Sequence, residues 1–231
     1  MKKVGLIGGT GPESTIPYYR GIVYGVQKKA GEKVFPNLTI ESINVFEVLD
    51  LCGKGKYEEL TNYLMKAIHN LIASGVDFIA LTGNTPHLVF DELQKRSSVP
   101  LVSSIEATCN EAKRQNLSRV GLLGTIFTME GKFFKKPFME NQIEVVTPTA
   151  AEKEYINKKI LHELELGLVK QETVQTFLKI IERMKVENGI QSIILGCTEL
   201  PLLFQEVTLP VACLDAMAIH IQTLVEKIVS D

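Results

Sequence analysis

Among the four cysteines of this 231-residue chain, Cys197 has the surroundings best suited to chemistry. It ends the stretch Ile193-Ile194-Leu195-Gly196-Cys197, and Pro201 just beyond it suits the first turn of a helix. The spacing predicts a buried strand, a tight turn, a thiol at the tip and a helix behind it. Backbone N–H groups and the positive end of that helix would favour thiolate over thiol. An ordinary thiol, with a pKa of about 8.5, is only a few per cent ionised at pH 7; lowering it by about two units takes about 2.7 kcal/mol and makes thiolate the major form. Such a group can take a proton from carbon and return it. The plainer alternative is a small apolar residue closing a strand end.

The elements that would position this thiol occur twice. Val4–Ile7 reads as a buried strand, Gly8-Gly9-Thr10-Gly11-Pro12 as a turn, and a helix begins near Ser14-Thr15. A strand is predicted at 38–45, an amphipathic helix at 57–74, a strand at 78–81, a helix from Asn84-Thr85-Pro86 to Leu93, a short strand at 100–103 and a helix at 106–115. The order then recurs. VGLLGT (Val120 to Thr125) echoes VGLIGG (Val4 to Gly9), and setting GVDFIALTGNTP beside GIQSIILGCTEL pairs Gly75 with Gly189, Ile79 with Ile193 and Gly83 with Cys197. A strand at 143–146, helices at 152–166 and 171–187, and a terminal helix at 212–229 complete the reading. The expected fold is α/β: two similar doubly wound parallel-sheet domains related by pseudo-twofold symmetry, one of residues 1–101 with 212–231, the other of residues 102–211 carrying Cys197. Ligands of such sheets bind beyond the strands' C-terminal ends, so an active-site cleft between the halves is expected, with Gly83 and Cys197 on facing walls.

Bulk properties exclude several classes. The net charge is -2 and 45% of residues are hydrophobic, with Lys and Arg scattered, so neither nucleic acid nor an anionic membrane is an expected partner. No apolar run has the length of a membrane span and the start enters a strand, which reads as cytoplasmic. Widely spaced cysteines and histidines suggest neither a disulfide framework nor a metal site, and Cys52, Cys109 and Cys213 read as packing residues. The glycines after the first strand lack the full dinucleotide-binding spacing, since Ser14 stands where a third glycine belongs.

Around the two loops stand short hydroxyls and amides, Thr10, Ser14, Asn84, Thr85, Thr125, Thr128 and Thr198, together with Glu199 beside the thiol. They are candidates to hold a small amino-acid or dicarboxylate substrate, each having a second reading as a helix cap. Helix N-termini would supply N–H donors for the substrate's anion and for the enolate-like charge that develops when a carbon acid loses its proton.

These residues carry a resemblance. IGGTGPEST with YYR (Ile7 to Arg20), NTPH (Asn84 to His87), GLLGT with TM (Gly121 to Met129), LGCTEL (Leu195 to Leu200) and LDAMAIH (Leu214 to His220) resemble the aspartate/glutamate racemase family along nearly the whole chain. The resemblance implies a cofactor-independent racemase without metal, commonly a homodimer, in which two cysteines flank the substrate Cα, one as thiolate and one as thiol. It implies that Cys197 is the second of these and that Asn84, Thr85, Thr125 and Thr198 surround substrate carboxylates.

The chain departs from that pattern at Gly83, where most members carry the first cysteine. Two-base inversion would then need Thr82, His87, Glu13 or a held water on that wall. The start resembles the enteric L-aspartate/L-glutamate racemases, which keep the second cysteine and carry threonine at the first position. The arginine and lysine of archaeal aspartate-specific members fall at Glu47 and Glu165. Arylmalonate decarboxylase, of the same superfamily, shares the Gly/Cys pairing, so the alternatives are a lyase with Cys197 as sole proton donor, or a ligand-binding member with impaired catalysis.

Overall fold

The computed structural model describes residues 1–10, 12–205 and 207–230, with the backbone alone for Pro12 and Glu13. Gly11 of the expected first turn and the side chain of the candidate Glu13 lie outside the described residues. The chain divides into two compact units, Met1–Ser104 with the segment from His220 onward, and Ile105–Ile219.

The first unit contains β1 (Val4–Gly8), α1 (Pro12–Ala30), β2 (Leu38–Ser42), α2 (Val45–Gly53), α3 (Tyr57–Ala73), β3 (Phe78–Leu81), a 3-10 turn at Thr85–Val89, α4 (Phe90–Arg96) and β4 (Leu101–Val102). Helix α5 (Ser104–Arg114) leads into β5 (Arg119–Leu123), α6 (Ile126–Glu130), α7 (Lys132–Glu140), β6 (Glu144–Val146), α8 (Ala150–His162) and a 3-10 turn at Leu164–Leu166. Then come α9 (Gln171–Asn188), β7 (Ser192–Leu195), α10 (Leu200–Leu203), β8 (Ala212–Asp215) and α11 (Ala216–Val229), which ends in the first unit.

Each unit has its own four-stranded sheet, ordered β2-β1-β3-β4 and β6-β5-β7-β8, and all pairings are parallel. The inner strands β1, β3 and β7 are buried along their whole length because helices cover both faces. In the second unit Leu123, Ile193 and Leu195 pack with Ile156, Ile160 and Phe177 of α8 and α9. Val120, Leu122 and Ile194 face the other way, onto Ile105, Cys109, Phe134 and Phe138 of α5 and α7. In the first unit Tyr18, Ile22 and Val26 of α1 and Leu60, Leu64, Ile68 and Leu71 of α3 are buried, each large side chain contributing about 1.5–3 kcal/mol.

The internal repeat holds at the level of register. Gly5 lies opposite Ile79 and Gly121 opposite Ile193. Gly75 and Gly189, paired by the sequence, both adopt positive φ, 75° and 66°, the left-handed conformation that stops a helix before a strand. Beyond the strands, Thr82 N–H donates to the Ile7 carbonyl at 3.1 Å and Gly196 N–H to the Leu123 carbonyl at 2.7 Å. Gly83 and Cys197 therefore follow equivalent closing hydrogen bonds.

Several boundaries differ from the sequence reading. Ala212–Asp215 is a strand, not the start of a helix, because it pairs with β7 as the fourth strand of the second sheet. The terminal segment expected wholly in the first half joins it only from His220. Strand β2 stops at Ser42 because Asn44 caps α2, its Oδ1 accepting from Phe46 N–H at 3.0 Å. Helices α6 and α7 fill a stretch in which the sequence reading placed no element. The helix expected at 152–166 breaks after His162, and the 3-10 turn that follows ends at Gly167, in the left-handed region at φ 69°.

Candidate functional site

Cys197 stands two residues past β7, half-buried, with Gly196 buried beneath it. A Cβ on Gly196 would lie 2.9 Å from both Leu122 Cδ1 and the Leu123 carbonyl oxygen, so the turn that lifts the thiol off the strand has no room for a side chain. The thiol donates to Glu199 Oε2 at 2.8 Å, and Thr198 Oγ1 donates to Glu199 Oε1 at 2.9 Å. Glu199 is itself only 5% exposed.

The charge state of the thiol is opposite to the sequence expectation. Burial, then the adjoining Glu199 carboxylate, raises the Cys197 pKa well above the ordinary thiol value. The following helix has four residues and starts at Leu200, too short a stack of peptide dipoles to offset a carboxylate in contact with sulfur. Glu165, from the 3-10 turn after α8, adds a further negative field. Its own carboxyl is pushed upward by burial and by Glu199. Burial and the two carboxylates thus favour the neutral thiol form of the sulfur.

Thr125 and Thr128 sit at the tip of the neighbouring β5. Thr125 caps α6, accepting from Thr128 N–H at 3.4 Å, and the two hydroxyls lie 3.2 Å apart. Thr128 is buried, and its methyl would meet a Cβ on Gly124 or Gly196 at 3.0 and 3.2 Å, so it packs beneath both strand tips. Asn157 of α8 holds the loop by accepting from Ile126 N–H at 2.9 Å. Asn44 and the half-buried Asn157 carry no mark in the sequence; only their contacts in the fold distinguish them from other amides.

In the first unit the structure gathers Thr10, Thr82 and Gly83. Thr82 is buried and donates to the Ile7 carbonyl at 3.2 Å. Its one proton is thereby used, so Thr10 is the donor in the 3.1 Å contact between the two hydroxyls. A Cβ on Gly83 would lie 2.7 Å from Thr10 Oγ1 and 3.0 Å from Thr10 Cβ. Glycine at 83 thus accompanies a threonine occupying the space a side chain would enter.

His87, one of the candidate replacement bases, is turned into the protein. It is buried, stacks on Phe90 with ring centres 5.0 Å apart, and its Nδ1 donates to the Gly83 carbonyl at 3.1 Å. Burial lowers its pKa to about 4. Ser104, whose hydroxyl lies 3.3 Å from His87 Nε2, donates to Asn84 Oδ1 at 2.6 Å. That bond turns the Asn84 amide nitrogen away from Ser104. Thr85 is half-buried and begins the 3-10 turn, and Ser14 is fully buried within α1.

Of the other cysteines, Cys52 and Cys109 are buried as expected, whereas Cys213 is exposed. It lies on the edge strand β8 and alternates with the inward Leu214, which is why packing does not cover it. All four thiols are free.

The model of the Asp/Glu/Hydantoin racemase family matches residues 7–224. The chain is similar to an aspartate racemase homologue from Pyrococcus horikoshii, 38% identical with TM-score 0.84 over 100% of both chains. It is also similar to a proposed Asp/Glu racemase from Yersinia pestis, 33% identical with TM-score 0.91 over 100% of both chains. The broad specificity amino-acid racemase RacX of Bacillus subtilis is 30% identical over 62% of this chain and 63% of its own length, so that match takes in less than two thirds of RacX.

Proposed function

Because the chain belongs to the Asp/Glu/Hydantoin racemase family, we propose that it is a cofactor-independent racemase of aspartate, glutamate or a related small amino acid, with Cys197 as the group that exchanges the Cα proton. The observation that carries this reading is the thiol at the C-terminal tip of β7, hydrogen-bonded to Glu199 at 2.8 Å. A neutral thiol can protonate a planar carbanion, and the same sulfur as thiolate can deprotonate Cα. In this reading Asn84, Thr85, Thr125 and the backbone N–H of Thr198 hold the substrate carboxylates, the Thr198 hydroxyl staying on Glu199, and Thr10, Ser14 and Thr128 support the loops of their own units. The protein acts as a homodimer in the cytoplasm. Among the described residues no helix is long and apolar enough to cross a membrane.

Proton NMR of L- and D-amino acids in deuterium oxide tests the reading. Native protein is expected to deliver deuterium to Cα, and Cys197→Ser to slow that delivery at least about 100-fold, in line with the usual worth of a general acid or base. Undiminished exchange in Cys197→Ser sinks the proposal. Light scattering on the eluting protein checks the dimer.

Gly83 favours a second reading, a lyase that protonates one face of an enediolate after CO2 loss. Carbon dioxide release from a malonate-like acid, with no deuterium entering any amino acid, would replace the first reading by this one. Ligand-induced thermal stabilisation without either reaction would indicate the binding-only member.

A further inference from the structure

The racemase reading leaves one difficulty, and the structure suggests its solution. Sulfur must accept a proton from carbon, yet in the resting protein it is a thiol whose hydrogen points at a carboxylate. Glu199 is buried in the turn, and its two oxygens receive the Cys197 thiol and the Thr198 hydroxyl at 2.8 and 2.9 Å. Both of those donors are neutral groups, so neither neutralises the carboxylate. We propose that Glu199 is the proton acceptor behind Cys197: it takes the thiol proton as sulfur turns to Cα, and returns it when sulfur protonates the carbanion. This inference rests on the racemase reading.

The step balances. The Sγ–H bond breaks toward Glu199 Oε2, forming a neutral carboxylic acid and a thiolate. The thiolate lone pair then bonds to the Cα hydrogen, and the Cα–H electron pair passes into the substrate carboxylate as an enediolate. The negative charge moves from Glu199 through sulfur to the substrate, and no second charge enters the turn. Return of the proton to Cα runs the same transfers backward. Nothing is oxidised or reduced. Thr198 holds the other carboxylate oxygen, which keeps Oε2 on sulfur. Glu199 acts through Cys197.

Glu199→Gln separates this role from simple electrostatic suppression of the thiolate, because the two roles give opposite results. Among the described residues the charged groups acting on the sulfur are Glu199 and Glu165. Removing one of them moves the pH midpoint of Cys197 alkylation by iodoacetamide downward under either role. If Glu199 receives the proton, deuterium delivery to Cα falls at least about 100-fold even though the thiol has become more reactive. If Glu199 only holds the thiolate down, exchange stays equal or becomes faster, and the inference is overturned.

A measurement on the native protein provides a second test should the variant fail to fold. Thiolate absorbance, taken as the difference from Cys197→Ser, is expected to be absent at neutral pH while exchange proceeds. A full thiolate signal at that pH means the base is preformed and overturns the relay. Undiminished exchange in Cys197→Ser would instead defeat the racemase reading itself. Loss of exchange in Cys197→Ser with retention in Glu199→Gln defeats the relay alone.

Discussion

Position 83 shows how one missing side chain is tied to its neighbour. The Cβ that any other residue would bring there falls 2.7 Å from Thr10 Oγ1, inside van der Waals contact. Thr10 is in turn held by donating to Thr82. Gly83→Cys alone is therefore expected to displace Thr10 and to destabilise the protein by about 1–3 kcal/mol, the usual cost of overpacking. Gly83→Cys with Thr10→Ala should recover most of that loss in urea denaturation. If the racemase reading holds, the double variant should also invert its substrate faster than the native protein, as polarimetry would show. Equal stability of the single and double variants would mean that the two positions do not compete for space.

Residues were not equally legible at this scale. Cys197 was readable because a strand, a glycine and a cysteine in sequence fix where the thiol goes. Its ionisation was not, because it is set first by burial and then by Glu199, two residues on, and Glu165, a turn in another element. A chain read in order suggests a helix dipole behind the thiol, but folding supplied a four-residue helix and a carboxylate.

Among the elements, the strands were the most legible, since the same pattern of glycine and aliphatic residues occurs twice. The two copies are not equally tolerant. A Cβ on Gly121 would meet Ile193 Cδ1 at 2.6 Å and Ile190 Cδ1 at 2.8 Å, whereas on Gly5 the nearest atoms stand at 3.2 Å. Gly121→Ala is expected to cost about 1–2 kcal/mol and Gly5→Ala clearly less, because the lost freedom of the unfolded chain offsets a mild clash but not a severe one. Urea midpoints for the two variants check this, and reversal of the order would show that the α9 side of β5 yields more readily than its distances suggest.

Helices α2, α6 and α7 were missed for a local reason. Their starts are marked by single caps, Asn44 and Thr125, and Pro137 lies inside α7. A short helix with a proline carries too little apolar periodicity to be distinguished from a loop. Glu163, by contrast, is decided by packing. Lys159, Thr173 and Lys170 donate to it at 2.5, 2.7 and 3.1 Å, and those bonds lower its pKa to about 2 despite its burial. It anchors the turn that carries Glu165.

For the molecule as a whole, the two buried histidines govern acid stability. His220 of α11 accepts from the Tyr18 hydroxyl at 2.8 Å and donates to the Val102 carbonyl at 3.1 Å. These bonds tie the chain terminus to α1 and β4. Burial lowers its pKa to about 3, and that of His87 to about 4. Both groups are neutral when folded and take up protons more readily when unfolded. Their stabilising contribution is therefore complete above about pH 6.5 and declines as pH falls toward 4 and then 3, by on the order of 3 kcal/mol or more for each. Thermal midpoints measured from pH 7 to pH 4 should fall, and less steeply in His87→Gln. An unchanged slope in that variant would assign the acid sensitivity to other groups.

The amino-acid sequence by itself determined the α/β class, the duplication and the thiol at the end of a strand, because these depend on spacing within a few residues and on a pattern written twice. The tertiary structure alone decided that the thiol rests neutral against Glu199, that Thr10 fills the space beside Gly83, and that His87 faces inward. Each of those outcomes is a contact between residues whose meeting depends on how loops close over strand tips. Burial then sets the cost of charge there, and burial is a property of the folded surroundings that no local spacing encodes.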